Sequence, residues 1–133
     1  MSNLKNFEYL VGDKNINKAS TEPYNEITCD FLGELSKELN LSAESQIYPD
    51  IKTFSFWIRK QNIYNLKKKF LSKEVRLGLG LIFHITPSNI PTNFAYSLIF
   101  GLITGNSNVV KVPSQKFKQV EIICKSINKI LKK

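Results

Sequence analysis

The sequence has one histidine, His84, and two cysteines, Cys29 and Cys124, far apart and without a CxxC pair. A structural zinc site takes roughly four such ligands, so no metal site is expected. A disulfide is disfavoured in a reducing compartment, which leaves two small buried thiols as the expectation. No apolar stretch reaches the ~18 residues of a membrane span. The longest candidate, Phe94 to Ile103, is interrupted by Ser97 and Gly101. The opening residues MSNLKNFEYLVGDKN mix acids, bases and amides and lack the apolar centre of a signal peptide. The expected location is therefore cytoplasmic. Arginine-glycine tracts, an RNA-binding aromatic signature and Cys/His fingers are also missing. Their absence weighs against nucleic acid as a partner, despite a net charge of +8 and a pI near 9.5. Lysine supplies nearly all of that charge alongside abundant asparagine and isoleucine, a composition that AT-rich coding also produces.

The length of 133 residues suits one domain with one modest core. Residues 1–23 show no clean period and read as a flexible N-terminal arm. Residues 24–75 read as a helical segment. From Asn25 to Leu39 the apolar residues Ile27, Phe31, Leu32, Leu35 and Leu39 recur at helical spacing, with Asn40 as the stop. A second helix is expected from Asp50, read as its N-cap, with Ile51, Phe54, Trp57, Ile58, Ile63, Leu66 and Phe70 on its buried face. Arg59, Lys60, Lys67, Lys68 and Lys69 fall on the other face. They are either a solvated helix surface or a site for an anionic surface.

Residues 76–133 change character. LGLGLIFHI (77–85) is nearly all apolar, as suits a parallel strand covered on both faces. Residues 92–106 read as a buried helix stopped by Gly105-Asn106, and 108–112 as a second strand. Phe117, Val120, Cys124, Ile127 and Leu131 step by three and four residues along a last amphipathic helix, with lysines gathered at its C-terminal end. The fold class expected is α/β: N-terminal helices followed by a βαβα unit with a parallel sheet. Two strands leave a sheet short of neighbours, so the chain is expected to be the N-terminal part of something larger.

Between the first strand and its helix lies HITPSNIPTNF (84–94). In open parallel sheets, ligands bind outside the carboxyl ends of the strands. Pro87 and Pro91 restrict their own φ and push their predecessors towards extended backbone, which stiffens the corner around Asn89. The Asn89 carboxamide is then either a donor to a developing oxyanion or an Asx turn capping the following helix.

Ile85-Thr86-Pro87-Ser88-Asn89-Ile90-Pro91 resembles the I-x-P-W-N-x-P loop of the aldehyde dehydrogenase superfamily. Gly105-Asn106-Ser107-Asn108-Val109-Val110-Lys111 resembles its G-N-x-V-V-x-K-P-S-E strand and turn, in the same order and separation. With FSFWIRKQNIYNLKKKF upstream, the chain after about Pro23 is similar to the first third of the LuxC-type long-chain acyl-CoA reductases. The resemblance implies that 76–133 begin an aldehyde dehydrogenase-like dinucleotide-binding domain. It implies reduction of a fatty acyl-CoA, or an acyl-protein thioester, to fatty aldehyde, with acyl-transferring enzymes as partners and an oligomer possible for the full-length enzyme. Carried over by residue, Asn89 holds the thioester oxygen. Thr86, Pro87 and Ser88 line the turn beside the nicotinamide, and Lys111 bonds the adenosine ribose.

The sequence also departs from the pattern. Val112-Pro113-Ser114 follows Lys111, so Ser114 stands where the family's ribose-binding acid would be. A carboxylate there would repel a 2′-phosphate, whereas serine can donate to it, and Lys116 and Lys118 lie close by. NADP is therefore the cofactor expected. Ser88 replaces the loop tryptophan. The nucleophilic cysteine of the family lies well downstream, and neither Cys29 nor Cys124 matches its position, so this chain alone is expected to be inactive. A competing expectation is a small basic module that binds anionic surfaces or nucleic acid through residues 59–76. An inactive truncated remnant is the third.

Overall fold

A computed structural model describes residues 7–70 and 73–133. Helix α1 (Glu26–Leu41) starts where the Asn25 side chain accepts the Thr28 N–H at 3.0 Å. It ends at Ser42, whose N–H returns to the Glu38 carbonyl. A 3₁₀ turn (Ser45–Ile47) leads into α2 (Pro49–Trp57) and α3 (Lys60–Phe70). Strand β1 (Leu81–Ile85), helix α4 (Asn93–Ile103), strand β2 (Ser107–Lys111) and helix α5 (Lys118–Leu131) complete the order. The strands pair in parallel, from Leu81 opposite Ser107 to Ile85 opposite Lys111, with α4 as the crossover. The fold is α/β, as expected.

The helices hold most of the core. Leu32, Leu35 and Leu39 of α1 are fully buried among Ile51, Phe54 and Ile58, Ile63 of α3, Ile99 and Ile103 of α4, and Ile123 of α5. Each such side chain contributes about 1.5–3 kcal/mol of transfer free energy. No residue of either strand is fully buried, so the small sheet rests on this helical layer.

The structure corrects several details. The helix expected from Asp50 to Phe70 is two helices. Ile58 leaves helical geometry at φ −83°, ψ 2°, and the Asn62 carboxamide takes the Phe56 carbonyl at 2.8 Å. A step of five residues separates buried Ile58 from buried Ile63, which no single helical stripe accommodates. Pro49 is the first helical residue and Tyr48 the N-cap, because proline's fixed φ and missing N–H suit that position. Asp50 sits in the first turn. Ile27, Phe70 and Leu131 were placed on buried faces, but they point to solvent from helix ends. The first strand begins at Leu81, and only one of its faces is covered. Ile82 and His84 turn inward, while Leu81, Phe83 and Ile85 remain exposed, because α4 packs on one side of a two-stranded sheet.

Residues 19–24, inside the expected arm and across its boundary, are stitched to the start of the sheet. Thr21 N–H donates to Gly105 O at 2.8 Å, Gly78 N–H to Thr21 O at 3.0 Å, and Tyr24 N–H to Ile103 O at 2.7 Å. The Ser107 hydroxyl reaches Ala19 O at 2.9 Å. Gly105 allows this approach: its φ is +83°, and a Cβ there would lie 2.1 Å from Thr21 O.

Candidate functional site

The corner 86–91 leaves the carboxyl end of β1 directly. Thr86 is half-buried, and Pro87, Ser88 and Asn89 are exposed. Among the described residues the Asn89 carboxamide has no hydrogen-bond partner. It does not cap α4, whose N-cap is Thr92, a residue without a side-chain capping bond. The Asx turn that would cap α4 with this carboxamide is not formed.

Lys111 ends β2 at the same edge of the sheet, opposite Ile85. The Thr86 hydroxyl donates to Lys111 O at 3.4 Å, a weak tie between the two strand ends. Lys111, Ser114 and Lys116 are all exposed and make no ion pair among the described residues. Lys118 is engaged with Glu121 at 3.0 Å and Glu44 at 3.3 Å, so it does not share that freedom. Thr86 and Lys111 share this end of the sheet, with Asn89, Ser114 and Lys116 exposed on the segments that leave it.

Sequence reasoning missed the group beneath this edge. His84 points inward from β1. One ring nitrogen, Nδ1, lies 2.8 Å from the Ser97 hydroxyl of α4, and Nε2 lies 2.8 Å from Oδ1 of Asn108 on β2. Asn108 Nδ2 donates to Asn106 O at 2.7 Å, which turns its Oδ1 towards the imidazole. In the neutral ring Nε2 therefore carries the proton and Nδ1 accepts from Ser97. A polar residue at an inward position of an otherwise apolar strand was the available signal, and its partners lie 13 and 24 residues away in sequence.

Asn106 has a second structural task. Its Oδ1 accepts the Leu79 N–H at 2.6 Å and the Gly80 N–H at 3.3 Å, and its Nδ2 donates to Thr104 Oγ1 at 2.8 Å. The residue read as a helix stop also splices the approach to β1 onto the end of α4.

Neither cysteine is poised as a nucleophile. Burial pushes the Cys124 thiol up to about 11. Burial also raises Cys29, against a smaller opposing effect of Lys67. Both are buried free thiols. The basic face of 59–76 is partly consumed within the fold. Arg59 stacks on the Phe56 ring at 3.8 Å, Lys60 pairs with Asp30 at 2.8 Å, and Lys67 donates to Tyr24 O at 3.1 Å. A cavity of about 930 Å³ opens at the opposite end of the sheet, against Tyr24, Phe70, Leu79, Ile82 and Phe100. Lys67, Lys73 and Arg76 of the basic stretch 59–76 line it, whereas Thr86, Pro87, Ser88, Asn89, Lys111 and Ser114 do not. Among the described residues, no helix is long and apolar enough to cross a membrane.

The family described as acyl-CoA reductase (LuxC) matches residues 58–132, over half of the chain. The chain belongs to the LuxC acyl-CoA reductase family. No curated protein and no solved structure matches it. The LuxC match begins at the break between α2 and α3. It runs through β1, the corner at 86–91, α4, β2 and all of α5. Asn89, Lys111, Ser114 and the His84 network all lie inside it, whereas α1 and α2 precede it.

Proposed function

We propose that residues 76–133 form the start of the cofactor and oxyanion site of an NADPH-dependent reductase that converts fatty acyl-CoA to fatty aldehyde. The observation that carries this reading is the free Asn89 carboxamide on the corner that leaves the carboxyl end of β1, at the same end of the sheet as the exposed Lys111. Asn89 Nδ2–H would donate to the thioester oxygen as negative charge gathers there. Lys111 and Ser114 would hold the ribose and its 2′-phosphate, with Lys116 adding positive charge. NADPH supplies the hydride when bound. The thiolate that carries the acyl group is proposed to come from outside residues 1–133, since both thiols here are buried and raised. The long acyl chain and the partner that delivers it belong to the same proposal.

Two measurements test it. NADPH titrated into the chain should shift the Lys111 and Ser114 backbone resonances, and Lys111→Ala should weaken the binding. In a chain extended to include the nucleophile, Asn89→Ala should lower kcat by about 10²–10³-fold with little change in KM. A raised KM with kcat unchanged would place Asn89 in ground-state binding instead.

A further inference from the structure

We infer that His84 is a positioning residue, the clamp that sets Asn89 against Lys111. This rests on the reading of Asn89 and Lys111 given above. His84 is the penultimate residue of β1, five residues before Asn89. Ser97 lies one turn inside α4, the helix that the corner enters. The 2.8 Å contact between them therefore closes the base of the segment that carries Asn89. The other 2.8 Å contact, to Asn108, ties the same ring to β2, three residues before Lys111. One imidazole thus joins the entry of the corner, its exit and the neighbouring strand.

Space for the clamp is built in. At Gly101 of α4, any Cβ would lie 1.8 Å from Asn108 Oδ1 and 3.0 Å from His84 Nε2. Only glycine lets the helix backbone approach the pair so closely. The ring has both nitrogens bonded and is half-buried, so it has no lone pair or N–H left for a substrate. It acts through the corner and touches nothing that reacts.

The test uses the full chain and nuclear magnetic resonance. Ser97→Ala cuts the tie to α4 alone, and Ser97→Thr restores a hydroxyl. In the wild type, the Asn89 amide should have an order parameter near the rigid value of ~0.85, and in Ser97→Ala it should fall towards ~0.6. Helices α1 and α5 should keep their values. The His84 Nδ1 resonance should move as its donor is lost, and Ser97→Thr should bring both signals back. An Asn89 amide that is already mobile in the wild type would overturn the inference. So would one unmoved by Ser97→Ala, or a loosening spread evenly over the chain. Failure of NADPH to shift Lys111 would count against the cofactor reading alone, because the order parameters decide the clamp without it.

Discussion

Two glycines sit inside helices here, and replacing each by alanine should move stability in opposite directions. Gly33 lies in α1, where a new Cβ would meet Lys60 Cβ at an ordinary 3.5 Å. Alanine there gains helix propensity and loses nothing, so Gly33→Ala should stabilise by about 0.5–1 kcal/mol. Gly101 lies in α4, where the same Cβ would overlap Asn108 Oδ1 at 1.8 Å and Cγ at 2.7 Å. The carboxamide must move away. Moving it breaks the contacts to His84 Nε2 and Asn106 O, each worth about 1 kcal/mol net, and strands a half-buried N–H at a further cost of about 1–3 kcal/mol. Set against the same propensity gain, Gly101→Ala should destabilise by about 2–4.5 kcal/mol. For a chain of this length the melting temperature should fall by roughly 6–22 °C, while Gly33→Ala raises it by roughly 2–5 °C. Thermal melts followed by circular dichroism, with urea melts to give free energies, are the assay. A Gly101→Ala protein as stable as Gly33→Ala would refute the packing of α4 on the His84–Asn108 pair. The clamp proposed above would fall with it.

Other outcomes follow from individual side chains. Folding raises the Cys124 thiol from 9.0 to about 11. Its contribution is whole below pH ~9 and is lost as pH rises towards 11, by about 2–3 kcal/mol in total. Cys124→Ala should flatten that stretch of the stability–pH curve in urea melts, and an unchanged slope would show that the loss arises elsewhere. Ser45 is fully buried, and its hydroxyl has no hydrogen-bond partner among the described residues. Ser45→Ala should therefore raise stability by about 1 kcal/mol, and a loss of that size in urea melts would mean that the hydroxyl is satisfied in solution.

The segments with one strong local signal were legible in the sequence. The strand–helix–strand–helix order of 77–133 follows from an apolar run, an apolar helix closed by Gly105-Asn106 and a β-branched pair, Val109-Val110. Each is a short-range pattern that the backbone obeys wherever the chain goes. Prolines 87 and 91 likewise fix a corner by their own sterics. Cys124 falls on the stripe that Phe117, Val120 and Ile127 define, so its burial was readable too. Asn89 was singled out by its proline-bounded corner and by the family resemblance, and Lys111 by the resemblance alone. That they occupy one edge of the sheet is the consequence of a parallel pair, in which both strands end on the same side.

Other features depended on partners distant in the chain. The break between α2 and α3 shows in sequence only as a five-residue step from Ile58 to Ile63, and the Asn62 bond to Phe56 O completes it. Ile27 and Phe70 are apolar residues of helical period, yet the core ended before reaching them. The arm residues Ala19 and Thr21 have no periodicity, because backbone bonding of Ala19 to the Ser107 hydroxyl and of Thr21 to Gly105 and Gly78 needs none. His84 was the largest omission. Its meaning lies in Ser97, Gly101 and Asn108, and no local pattern relates the four. Local chemistry determined which segments are helix, strand and corner, because those choices depend on neighbours a few residues away. Only the packing of α4 across both strands decided that a lone histidine would hold the corner in place.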